Sequence, residues 1–90
     1  MSLCTRHILV KSKFEAEDIQ KLLKQGKAFT SLAQKFSQCS SASAGGDLGD
    51  VSKKLHLLDE DFRNALEALK IGDTSGIVRT RFGYHLIQRY

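Results

Sequence analysis

The chain has 90 residues, 41% hydrophobic and 27% charged, a balance that suits an ordinary soluble globular domain and argues against both a disordered chain and a membrane protein. At this length only about 60–65% of the unfolded surface can be buried, so the core is small and one layer of helices on one sheet is expected. The net charge of +4 is uneven, with seven Lys or Arg against three acids in residues 1–40 and seven of each in residues 41–90. The early lysines fall on helix faces that water must solvate anyway, so nucleic-acid binding is not the expected use of that charge.

Arg6-His7-Ile8-Leu9-Val10 is a short apolar run with β-branched members and reads as a strand. Phe14, Ala16, Ile19, Leu22 and Leu23 then recur at helical spacing, acids first and lysines last, with Gly26 placed to cap the end. Phe29, Leu32, Ala33 and Phe36 form the single apolar stripe of a second helix. Residues 37–50 hold three glycines and four serines and almost nothing large, which predicts a loop with tight turns and a very short strand near Leu48 and Val51. A helix follows from about Asp59, its N-cap, to Lys70, with Leu58, Phe62, Ala65, Leu66 and Leu69 as its stripe and Gly72 beyond it. Gly76-Ile77-Val78-Arg79 and Tyr84-His85-Leu86-Ile87 flank a turn around Thr80 to Gly83 and predict a closing hairpin. The whole is an α+β domain over residues 1–90 with a small, mainly antiparallel sheet.

His7 and His85 sit in the first and last of these strands. If the two strands are neighbours, period-two alternation puts His7 on the face of Leu9 and His85 on the face of Gly83 and Ile87. Cys39 with these imidazoles has the composition of a nucleophilic site, but no nucleophile turn surrounds the thiol. A zinc site from Cys39, His7, His56 and His85 lacks the close ligand spacing zinc uses. Asp47 and Asp50 lack the spacing of a calcium loop, and Gly45, Gly46 and Gly49 lack the Lys-Ser/Thr ending of a phosphate loop. No metal and no cofactor is expected. Cys4 and Cys39 are too few for a disulfide framework and read as free thiols of a reducing compartment. Met1 to Thr5 shows no secretion signal and no apolar run reaches membrane-spanning length, so a cytoplasmic setting without membrane contact is the default.

The blocks His7-Ile8-Leu9-Val10, Phe36-Ser37-Gln38-Cys39-Ser40, Gly45-Gly46-Asp47-Leu48-Gly49, Leu58 through Phe62, and Phe82-Gly83-Tyr84-His85-Leu86-Ile87 follow one another in an order and separation that resemble the parvulin family of peptidyl-prolyl cis/trans isomerases. The resemblance covers almost the whole chain. It implies a four-stranded, mostly antiparallel sheet surrounded by about four helices, one a short turn between about Ser40 and Gly45. It implies an isomerase of X-Pro bonds that acts on proline-containing polypeptides and assists folding; a monomer that does not bind nucleic acid is expected. By position, the family's central histidines fall on His7 and His85 and its active-site Cys or Asp on Cys39, with the imidazoles expected to bond each other rather than to act as acid and base. The proline pocket falls on Leu48, Leu58 and Phe62, bordered by Thr80 and Phe82 of the closing hairpin.

Three departures matter. Leu58 stands where methionine is usual, and Asp59 where a glutamine is common in some members. The first strand and first helix are joined by Lys11-Ser12-Lys13 alone, where members that require phosphoserine or phosphothreonine carry a longer basic loop. Phosphate-directed specificity is therefore not expected, nor is a WW domain before the fold. The rival implied by the same resemblance is a noncatalytic module that binds peptides in the same groove.

Overall fold

The runs at the two ends of the chain form the strands β1, Cys4–Val10, and β4, Gly83–Arg89, in a computed structural model that describes residues 2–90. Between them come the helices α1, Lys13–Lys24, and α2, Phe29–Phe36, a 3-10 turn over Ser40–Ala44, and the strand β2, Asp47–Asp50. A second 3-10 turn over Leu55–Leu57, the helix α3, Glu60–Glu67, and the strand β3, Val78–Thr80, complete the chain. The sheet runs β2-β1-β4-β3, every pairing antiparallel, with the two chain ends side by side at its centre. The expected hairpin closes through the two-residue turn Arg81-Phe82.

Helices cover both faces of this sheet, not one as its length suggested. On one face Ile8, Val10 and Leu86 meet Ala16 and Ile19 of α1 and Phe29, Leu32 and Ala33 of α2. On the other, Leu3, Ile87 and Val51 meet Phe62 and Leu66 of α3. The reason lies in the central strands, whose alternate positions are apolar on both sides, so neither face can be left to water.

Three local differences have local causes. Phe14 belongs to the predicted stripe of α1, yet it is 78% exposed. The buried positions of that helix are Ala16 and Ile19, and at about 100° per residue Phe14 lies about 200° round from Ala16, on the far side. The N-cap Ser12 accepts the Phe14 amide at its Oγ, 3.2 Å away, and fixes that phase. Asp59 does stand at the N-cap position of α3, but its side chain makes no cap bond. That helix ends at Glu67 rather than Lys70 because the Leu69 amide turns back to the Leu66 carbonyl at 3.0 Å and Asp73 Oδ2 takes the Lys70 amide at 3.3 Å.

Candidate active site

In the β1–β4 ladder Leu9 faces His85 and His7 faces Ile87. Residues directly opposite share a face, so both imidazoles project to the α3 side, one diagonal step apart. Their rings lie nearly parallel, 18° apart, with Nδ1 to Nδ1 at 3.1 Å. His85 Nε2 is 2.7 Å from Thr80 Oγ1, which also accepts the Phe82 amide at 3.2 Å. Phe62 reaches down from α3 and stands edge-on to both rings, at 5.5 and 5.2 Å between centroids.

A bond between two Nδ1 atoms needs one N–H and one lone pair, so a proton on both rings at both nitrogens would break it. Burial and then the neighbouring His85 charge bring His7 down from 6.5 to about 4. Burial lowers His85 as well, against the opposing pull of the Asp59 carboxylate. Both rings are therefore neutral at neutral pH, which is the state their mutual bond requires. His7 Nε2 is buried without a partner whichever ring donates.

The small residues of the 37–50 loop let it run against the edge of β1 past Arg6, where β2 no longer pairs. The Gln38 amide donates to the Leu9 carbonyl at 2.7 Å, the Leu9 amide to Ser37 Oγ at 3.0 Å, and the His7 amide to the Gly46 carbonyl at 3.0 Å. Gly46 is obligatory there: its φ is +82° and a Cβ would fall 2.3 Å from the His7 carbonyl oxygen. These bonds place Cys39 beside the histidine face. Partial burial pushes the Cys39 thiol up, but side-chain and backbone hydrogen bonds from Ser41 and Ser40 together outweigh it and hold the thiol below its usual range.

The result is a cleft of about 280 Å³ between the sheet, α3 and the hairpin turn. Leu48, Leu58 and Phe62 form its apolar wall, Cys39, His7 and His85 its floor, and Phe82 one edge. Asp59 also lines it and pairs with Arg81 at 3.3 Å, an ionic contact without hydrogen-bond alignment.

A family model for the rotamase, or PPIC-type PPIase, domain matches residues 7–90. This chain belongs to the parvulins. It is thus a peptidyl-prolyl cis/trans isomerase domain of the parvulin class. The foldase protein PrsA of Bacillus subtilis is 47% identical over 83 residues, which are 92% of this chain and 28% of that protein. The peptidyl-prolyl cis-trans isomerase pin1 of Schizosaccharomyces pombe is 43% identical over 76 residues, 83% of this chain and 42% of that one. The crystal structure of PrsA from Bacillus subtilis superposes with a TM-score of 0.92 at 44% identity, covering 98% of this chain and 34% of the other. The solution structure of NmPin, the parvulin of Nitrosopumilus maritimus, gives 0.85 at 36% identity over 99% of this chain and 95% of the other. The chain spans less than a third of the length of its PrsA relative.

Of the residues assigned to the site from sequence, His7, Cys39, His85, Leu48, Leu58, Phe62 and Phe82 all line the parvulin cleft. Thr80 stands behind it, bonded to His85 and to the Phe82 amide. His56 is exposed on the Leu55–Leu57 turn and does not line the cleft, and no group of three or more His, Cys, Asp or Glu among the described residues is placed to hold a metal. Leu9 and Leu57 line the cleft and were not foreseen. Leu9 was legible, since it shares the His7 face at period two. Leu57 carried no signal, because a leucine before the helix stripe looks like more core.

Proposed function

We propose that this parvulin domain rotates X-Pro bonds in unfolded or extended polypeptide segments, assisting protein folding, without requiring a phosphate before the proline. The observation that carries the reading is one cleft in which apolar side chains surround a thiol and a neutral, mutually bonded imidazole pair. The barrier to the rotation, about 18–20 kcal/mol, comes from C–N double-bond character, and no bond has to break. In this reading Leu48, Leu58 and Phe62 hold the pyrrolidine ring while the carbonyl of the preceding residue swings past Cys39. A dry wall disfavours the charge-separated planar form relative to the twisted amide, and each ~1.4 kcal/mol of that difference is about tenfold in rate. The histidines act as positioning residues, bracing Thr80, Phe62 and the floor of the cleft.

Two features support independence from phosphate. Only Lys11 and Ser12 separate β1 from α1, and the cations at the mouth are engaged, Lys11 Nζ on the Phe82 carbonyl at 3.2 Å and Arg81 on Asp59. The name foldase carried by the Bacillus subtilis relative supports a role in folding. The cleft is complete within one chain, which supports action as a monomer.

Exchange NMR on Ala-Xaa-Pro-Phe peptides, varying Xaa, tests the reading. Wild type should accelerate cis/trans exchange, with strong loss in Phe62→Ala and a smaller loss in Cys39→Ala. Peptide shifts without faster exchange would replace this reading by the noncatalytic groove.

A further inference from the structure

Large apolar side chains left exposed among the described residues are Phe14, Leu57, Ile71, Phe82 and Tyr90, and of these Leu57 and Phe82 line the cleft. Leu57 is 71% exposed. Its neighbours Leu55 and Leu58 pack against the core under α3, whereas Leu57 joins neither core cluster. The turn holds it in that orientation through the Leu57 amide on the Lys54 carbonyl at 2.9 Å and the Leu58 amide on the Leu55 carbonyl at 3.1 Å. A leucine left out of the core on the wall of a substrate cleft has its apolar surface free for whatever enters.

The charged groups around it already have contacts. Asp59 is the one acidic side chain among the described residues lining the cleft, and Arg81 pairs with it at 3.3 Å. Lys11 is bonded to the Phe82 carbonyl. A charged peptide side chain would compete with these contacts, whereas an apolar one removes Leu57 and itself from water.

We propose that Leu57 determines substrate specificity by taking an apolar side chain next to the isomerising proline. This rests on the reading of the cleft as the X-Pro site. Covering about a third of the exposed Leu57 surface corresponds to a preference of about fivefold for leucine over alanine at the flanking position.

The experiment compares kcat/KM for Ala-Xaa-Pro-Ala and Ala-Ala-Pro-Xaa peptides, with Xaa as Ala, Leu, Glu or Lys, in wild type, Leu57→Gln and Leu57→Met. The ratio of leucine to alanine within each protein cancels any general loss of activity. The expected result is a ratio of about five at one flanking position in wild type and Leu57→Met, falling toward one in Leu57→Gln. An unchanged ratio in Leu57→Gln, or a wild-type preference for Glu or Lys over Leu at both positions, overturns the assignment while leaving the isomerase reading intact. Failure of every peptide, the alanine one included, overturns both.

Discussion

Acidification should destabilise this domain at a higher pH than that at which Asp47 and Asp50 are protonated. His7 is 5% exposed and holds its neutral form down to about 4, against 6.5 in the unfolded chain. The unfolded state therefore binds the proton first. The stabilisation is fully present above 6.5 and is lost as pH falls from there to about 4. At 1.36 kcal/mol per pH unit, going from about pH 7 to about pH 4.5 removes about 2.5 kcal/mol, a large part of the 5–15 kcal/mol typical of a domain. His85, lowered mainly by burial, adds to the loss in the same direction. The lowered carboxylates do not share this window: Asp50, brought from 3.8 to about 2 by the Leu3 and Ser52 hydrogen bonds, contributes stability that is lost only as pH falls below 3.8. Asp47, lowered chiefly by the Tyr90 hydroxyl, behaves likewise. Urea unfolding at constant ionic strength measures the free energy, and the imidazole shifts report His7 directly. A stability that is flat between about pH 6.5 and 4.5, or a His7 that titrates at its ordinary value, would refute the neutral-pair argument.

Three substitutions probe the supports of the site. Gly46→Ala forces a side chain onto the His7 carbonyl at positive φ, and should cost about 2–4 kcal/mol with loss of the cleft, read by thermal unfolding and amide shifts of residues 37–50. Thr80→Val leaves the buried His85 Nε2 and the Phe82 amide without their oxygen; a loss of about 1–3 kcal/mol is expected, with slower isomerisation as Phe82 loosens. Phe62→Ala removes a ring 4% exposed and should cost about 3–5 kcal/mol by urea unfolding.

Much of this site could be read from the chain because its two signals are local. Alternation in β1 and β4 assigns His7 with Leu9, and His85 with Ile87, to single faces before any pairing is known. The blocks around Cys39, Gly46, Leu58 and His85 carry the family resemblance that names the remaining residues. The apolar stripe of α2 and the glycine-ended α1 were likewise present as periodicities of a few residues. The exposed Phe14 shows the limit of such patterns: an apolar residue close to a stripe is not on it unless its angular position also agrees.

The sequence by itself thus determined the elements, the faces of the two histidines and the family, since each depends on residues within a turn or two of one another. Only the tertiary structure decided that helices cover both sides of the sheet and that Nδ1 of His7 meets Nδ1 of His85. It alone set Asp59 against Arg81 and left Leu57 on the cleft wall while its neighbours went into the core. These facts rest on register and packing between segments far apart in the chain, and 78 residues separate the two imidazoles. Contacts of that kind are settled by which apolar faces find each other on folding, and no local spacing encodes them.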